Sequence, residues 1–461
     1  MTSARAMLSE SGHAAAVLGA FAAGLHFDAL PKGVVAAVRD CILDTVGACI
    51  GGADQMHSRM ALSYVSDLEA PGRSVVLDGT GATTNAPTAA FANGLLSHAT
   101  EYDCLRRPGA GVHGASVVAA ALAAAQHLDR SGADLIAAVA AGIEVMFRIG
   151  RATHHSCEAR GFHAPGLTGP FGAAVAVGHL LRLDAERMTR ALGIAGSMAS
   201  GLLEFAHSGD GSMVKKMHLG RAPESGVVAA MLAAKGFTGP VSVLDGSFGF
   251  LSVFCEESEP AALTAGLGSE FEAEKLCFKR FPCHITAHAP VQAILSLKLK
   301  AAIDHKQISA IRISASEKAT KLHNITRPTD MGLAQYSIPF CVAVALAGDP
   351  FNPSSYDVAA LSNPDLLRLA DSVTMSAFQA GHARKSWAAS LAVEMSDGTI
   401  HAIDVDDWPG TPTQPFDAAM RSDKFMTLTQ RLLQRSAQPT YERLETLESE
   451  VGLGWLGRPI A

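Results

Sequence analysis

Long stretches of this chain place apolar residues at three- and four-residue intervals, and shorter stretches alternate apolar with polar. The clearest helical stretch is 31–50, where Val34, Val35, Val38, Ile42, Val46, Cys49 and Ile50 recur. Asp28 precedes it as a candidate cap and Gly51-Gly52 is expected to end it. The apolar run 14–25 reads as a first helix. It has no basic leader beyond Arg5, and Glu10 and His13 precede it, which argues against a signal peptide. Helical periodicity predicts further elements over 86–99, 114–127, 133–150, 172–181, 185–200 and 224–235. A hairpin is expected where 74–77 meets Asp78-Gly79.

Beyond residue 300 the texture changes. Ile311-Arg312-Ile313-Ser314 and Val373-Thr374-Met375-Ser376 alternate, and 391–395 turns through Asp397-Gly398 into 399–405. Residues 275–408 are therefore expected to form a smaller α+β domain. Pro409, Pro412 and Pro415 mark its exit, and 417–447 returns to helix. The expected fold is mainly α with an α+β insertion. A large all-helical bundle, built from 1–274 and 409–461, carries a smaller α+β lid at 275–408.

A length of 461 residues supports this two-domain division. Hydrophobic residues make up 48% of the chain and charged residues only 18%, which suits extensive helix–helix burial plus a subunit interface, so a homodimer is expected. The net charge of −7 gives no reason to expect nucleic acid or an anionic membrane as partner. Cations that meet an anionic ligand must then be local. No apolar run reaches membrane length without polar interruption. The eight cysteines are dispersed with no C-x-x-C, which indicates neither a zinc knuckle nor a cysteine-ligated iron–sulfur cluster. Thiols in a reducing compartment, the cytoplasm, are the expectation.

Ionisable groups collect in four places. His98, Glu101, Tyr102 and Asp103 form the first, with His113 beyond them. His154, His155 and His163 surround a Gly-rich turn, and Lys215, Lys216 and His218 follow Ser212. The fourth, 278–288, packs Lys279, Arg280, His284 and His288 around Pro282. A helix started after Pro282 would put His284 and His288 on one face, a metal-binding spacing. The glutamate of the metalloprotease pattern is missing, because Ile285, Thr286 and Ala287 stand between them. Taken singly, each cluster also fits solvated charge or turn residues. Together they supply carboxylate, imidazole and ammonium groups suited to moving protons on an anionic substrate. There is no P-loop, no dinucleotide fingerprint and no nucleophile elbow, so cofactor-free acid–base chemistry is favoured.

Seven blocks, in order, resemble the MmgE/PrpD family, which includes 2-methylcitrate dehydratases, cis-aconitate decarboxylases and iminodisuccinate epimerases. They are Asn93-Gly94-Leu95 through His98; Glu101-Tyr102-Asp103; Pro170-Phe171-Gly172-Ala173-Ala174; and Lys215-Lys216-Met217-His218-Leu219-Gly220-Arg221-Ala222. Gly236-Phe237-Thr238-Gly239-Pro240, Phe278-Lys279-Arg280-Phe281-Pro282-Cys283-His284 and Gln335-Tyr336-Ser337-Ile338-Pro339-Phe340 complete the set. The resemblance implies a helical domain with an α+β lid, a homodimer, and an active site between the domains without metal or cofactor. It also implies catalytic roles for Glu101, His113, His163, Lys215 and His284, with Lys279, Lys215, Arg280 and Asp103 binding substrate. Members of the dehydratase and decarboxylase type tend to read Asp-Phe-Asp/Asn-Asp-Thr where this chain has Glu101-Tyr102-Asp103-Cys104-Leu105. Glutamate moves the carboxylate by a methylene, and Leu105 cannot donate a hydrogen bond.

The expected activity is proton abstraction or delivery next to a carboxylate of a small di- or tricarboxylate. Loss of water in the manner of a 2-methylcitrate dehydratase is the first outcome. Decarboxylation of the cis-aconitate type, epimerisation and non-catalytic metabolite binding are the alternatives. Lys279 is expected to meet a substrate carboxylate and to matter little for stability, whereas His288 is expected to be structural.

Overall fold

The computed structural model describes residues 12–106, 114–206, 212–379 and 387–457. Within these the chain forms two compact units. The first takes Met1–Ala99, Asp103–Phe278 and Ala418–Ala461, and the second takes Thr100–Tyr102 with Lys279–Asp417. The fold is mainly α, with the sheet-bearing part confined to the second unit apart from two short ladders.

In the first unit the longer helices are α1 (Ala14–Ala23), α2 (Lys32–Gly52), α3 (Met56–Asp67), α4 (Ala86–Ser97), α5 (Gly114–Leu128), α6 (Gly132–Ala152), α7 (Ala164–Leu180), α8 (Ala185–Gly196) and α9 (Val214–Ala234). Two more, Ala418–Leu433 and Ala437–Glu445, come from the far end of the chain. The core is built largely from small side chains: α5, α6 and α7 bury alanine after alanine. Without bulk between them, backbones approach closely. A Cβ on Gly94 of α4 would lie 2.1 Å from the Leu219 carbonyl of α9, so only glycine fits there. Helix α2 ends at Gly52, with Gly51-Gly52 as its last two residues as expected, and a Cβ on Gly52 would sit 2.3 Å from the Leu96 carbonyl. Asp28 is not the cap, since Pro31 precedes the first turn.

Two helices start eight to ten residues earlier than their periodicity suggests, because prolines inside them are tolerated. Pro170 in α7 cannot donate to the Gly166 carbonyl, and the Ser200 N–H bonds that carbonyl instead at 3.2 Å. Pro223 in α9 likewise leaves Leu219 without its helical donor, and that carbonyl is the one packed on Gly94. The hairpin is present as β1 (Ser74–Val75) against β2 (Thr83–Thr84), with a longer turn than Asp78-Gly79 alone. A second ladder pairs β3 (Leu105–Arg106) with β4 (Leu276–Cys277). Among the described residues no helix is long and apolar enough to cross a membrane.

The second unit carries a four-stranded sheet of order β6-β5-β7-β8, from β5 (Ile308–Ala315), β6 (Val373–Ala377), β7 (Ala389–Met395) and β8 (Ile400–Val405). β5 pairs parallel with β6 and antiparallel with β7, and β7 and β8 form the hairpin read from Asp397-Gly398. On β7 the even-numbered residues are half-buried and the others buried, the alternation expected of a sheet packed on one face. Helices α10 (His288–Lys300) and α11 (Ile338–Ala347) lie in the same unit, and α10 packs on β7 and β8.

Candidate active site

In the first unit, α4 stops at His98, whose N–H bonds back to Leu95 and Leu96. The His98 Nδ1 lies 2.7 Å from Asp103 Oδ1, and both side chains are fully buried. A carboxylate on Nδ1 fixes the tautomer and the ring orientation. Behind this dyad sits a second buried pair, in which Lys424 donates to Asp44 at 2.5 Å. Burial pushes the Asp44 carboxyl up, Lys424 opposes that, and the Asp103 charge adds to the rise.

His163 caps α7 at its N-terminus, held by its N–H to the Gly201 carbonyl. Its Nδ1 is 2.9 Å from Nδ1 of His218, so one of the two must carry a proton while the other accepts. His218 stands three residues after Lys215 in α9, on one face. Burial, then His98, then Lys215 lower the His218 pKa to about 4. The Phe205 ring meets both imidazoles edge-on, and a cleft of about 310 Å³ lined by Met198, Leu202, Phe205 and Met217 reaches His218.

In the second unit, Glu101 and Lys279 are 1% and 2% exposed. The Lys279 ammonium donates to the Glu101 carbonyl at 2.8 Å and lies 3.3 Å from its carboxylate. Glu101 adopts a left-handed backbone (φ 56°), a strained conformation for a side-chain-bearing residue and of the kind that collects at functional sites. Tyr102 donates to the Arg280 carbonyl at 2.7 Å, and Gln335 donates to the Thr100 carbonyl at 2.7 Å. His284 does not share a helix with His288. It caps a short 3₁₀ turn ahead of α10, with its N–H on the Gln335 carbonyl. Its ring stacks on His323 at 4.3 Å and meets Tyr336 at 4.6 Å. His288 is buried and accepts the Phe281 N–H at 3.3 Å.

Asp103, expected to bind substrate, has no exposed surface, and its carboxylate is engaged by His98 at 2.7 Å. The Arg280 guanidinium, also expected to bind substrate, is half-buried, donates to Gln292 at 2.8 Å and lies 5.4 Å from the Phe351 ring. Lys279 is ion-paired and buried, so its removal strands the Glu101 carboxylate. His113 lies outside the described residues. The structure brings His163 together with His218, near Lys215 and His98; His98 and His218 were quoted from the sequence but given no role. The Lys215-to-His218 spacing and the five-residue step from His98 to Asp103 were the available signals. Tyr336 had its sequence block, and His323 had no signal. Among the described residues no group of three or more His, Cys, Asp or Glu is placed to hold a metal ion.

Two measurements test these environments. Lys279→Ala should lower stability by about 3–5 kcal/mol, the scale of a broken buried pair, and Lys279→Met with Glu101→Leu should recover most of it. An unchanged melting temperature in the single variant would contradict the pairing. His218 is protonated more readily unfolded than folded, so its contribution is whole above pH 6.5 and is lost as pH falls through about 4. The loss is at most about 3 kcal/mol at 1.36 kcal/mol per pH unit. The melting temperature of His218→Gln should accordingly depend less on pH between about 4 and 6.5 than that of the wild type.

Comparison with known proteins then bears on the family. Residues 16–263 match the MmgE/PrpD N-terminal domain and residues 281–448 the MmgE/PrpD C-terminal domain. A cis-aconitate decarboxylase of Aspergillus terreus is 30% identical over 380 residues, covering 77% of this chain and 76% of that protein. A cis-aconitate decarboxylase of Homo sapiens is 32% identical over 286 residues, 60% of this chain and 57% of that protein. A cis-aconitate decarboxylase-like protein of Aspergillus oryzae is 27% identical over 451 residues, 92% of this chain and 90% of its own. With both domain types matched in order across most of its length, the chain belongs to the MmgE/PrpD family.

Proposed function

We propose that this protein is a cofactor-free lyase that removes CO₂ from a small unsaturated polycarboxylate of the cis-aconitate type. The named relatives are decarboxylases or decarboxylase-like, which favours that outcome over the loss of water expected first from sequence. The observation that carries the reading is the His163–His218 pair beside Lys215, backed by the His98–Asp103 dyad.

A lysine in the first turn of α9 works against the helix dipole, since the N-terminal end already carries partial positive charge. An anionic ligand supplies a reason for a cation in that place. Without ligand, burial and the neighbouring His98 and Lys215 keep His218 neutral. A bound polycarboxylate offsets the Lys215 charge and raises the affinity of the imidazole pair for a proton. The substrate thus recruits its own acid. When a carboxylate departs as CO₂, the bonding electron pair passes into the adjoining double bond, and the carbon at its far end takes the proton from the imidazole pair. Atoms balance as substrate plus one proton giving CO₂ plus product. Lys215 stabilises the negative charge that develops on the remaining carboxylate, the role of a preorganised cation.

A homodimer and a cytoplasmic location belong to the same proposal. Met56, Met60 and Tyr64 on α3 are 60%, 58% and 53% exposed at four-residue spacing, an apolar stripe beside Met213 and Met217 that suits a second copy of the chain. The eight cysteines, all present as thiols, suit a reducing compartment.

Incubation with cis-aconitate in deuterated buffer should release CO₂ and leave one solvent deuterium on carbon in the product. Lys215→Met should lower kcat/KM about a hundredfold. Dehydration of a hydroxy-tricarboxylate with no CO₂ loss across a panel would reject the decarboxylase reading. In sedimentation, the wild type should run as a dimer at micromolar concentration, and Met60→Glu with Tyr64→Glu should run as a monomer. A folded wild-type monomer would contradict the interface.

A further inference from the structure

Two pairs of thiols in the first unit have their sulfurs 3.3 Å apart: Cys41 with Cys104, and Cys157 with Cys255. The first pair has no exposed surface. The second borders solvent, with Cys157 at 2% and Cys255 at 8% exposure. Cys157 sits on the short helical turn Ser156–Ala159, and Cys255 closes the turn Phe250–Phe254 ahead of the exposed run 256–261. The two segments are laced together. Ser156 Oγ donates to the Glu257 carbonyl at 2.5 Å, the Glu259 N–H donates to the Ala152 carbonyl at 2.8 Å, and Arg160 donates to the Val253 carbonyl. The sulfurs are therefore held in contact by backbone-anchored bonds on both sides. The Cys157 thiol lowers the Cys255 pKa, burial opposes this, and Ser156 and Arg160 lower it further, so the more exposed cysteine of the two is also the one whose thiolate is favoured.

We propose that Cys157 and Cys255 are a hydroperoxide-oxidised dithiol that closes to an intramolecular disulfide. The Cys255 thiolate attacks one peroxide oxygen, the O–O bond breaks and hydroxide leaves, giving a sulfenic acid on Cys255. The Cys157 sulfur then attacks the Cys255 sulfur, the S–O bond breaks, and the Cys157 proton leaves with the hydroxyl as water. Two thiols lose two electrons and one hydrogen peroxide becomes two waters. The segment affected leads to the imidazole pair. Phe162 donates its N–H to the Cys157 carbonyl at 3.0 Å and packs its ring on Phe254 at 5.1 Å, and His163 is the next residue. Closing the bond redraws the turn that delivers His163, so oxidation lowers turnover. This last link rests on the lyase reading, whereas the disulfide does not.

Exposure of the whole protein to hydrogen peroxide, followed by alkylation and peptide mapping, tests the proposal without any activity assay. The expected result is a mass loss of about 2 Da per chain, a peptide joining Cys157 to Cys255, and Cys41 and Cys104 still alkylatable after unfolding. Cys255→Ser should abolish the joined peptide while basal turnover of the unoxidised enzyme stays at the wild-type level. Cys255 recovered as sulfinic acid, or both thiols still alkylatable, would overturn the dithiol. In parallel, oxidised wild type should lose most of its turnover and regain it with dithiothreitol. A disulfide formed with turnover unchanged would overturn the link to His163 alone, and an enzyme inactive on every substrate before oxidation would count against the lyase reading, leaving the mass result to stand.

Discussion

Taking charge out of water sets the terms for this protein. Its first unit is an alanine-rich helical body in which backbones touch, and such a body solvates ions poorly. Buried charges here are met by opposite charges, as in Asp44 with Lys424, Glu144 with Arg148, and Arg106 with Glu272. The same rule shapes the candidate site. His98 is held by Asp103, and burial with the neighbouring His98 and Lys215 keeps His218 neutral. Stability and the candidate site draw on one electrostatic arrangement, in which burial holds His218 away from its ordinary titration range.

Much of the architecture was legible because it follows from spacing. The apolar repeats of α2, α5 and α6, the Asp397-Gly398 hairpin and the sheet-bearing insertion all come from local pattern. What local pattern could not supply were partners distant in sequence. Pro170 looks like a helix breaker until Ser200 is seen bonding the carbonyl it leaves open. Gly51-Gly52 reads as a helix stop and is one, but that Leu96 and Leu428 press against it could not be read from the sequence. Within the candidate site the residue types were visible and their pairings were not. Nothing in the stretch 98–103 says that Asp103 turns to His98 while Glu101 turns to Lys279, 178 residues away.

The two departures from the family pattern acquire physical content here. Glu101 reaches Lys279 from a left-handed backbone, so its extra methylene is accommodated inside a buried ion pair. Leu105 lies buried in the β3–β4 ladder opposite Cys277, where an apolar side chain is in its ordinary place. Both changes trade polar freedom for packing. Both residues of this stretch are thus firmly built in.

The pairing of Asp44 with Lys424 also carries a consequence for biosynthesis. Its members are 380 residues apart, and the whole sheet-bearing unit is translated between them. At about 5–20 residues per second, Asp44 waits roughly 20 to 80 s on the ribosome for its counter-ion. During that interval the α2 surface against which Ala418–Leu433 packs has no cover, and the inserted unit can complete itself first. The first part of the chain to be made is then the last to be finished, and a nascent chain stalled before residue 418 would expose that surface to chaperones.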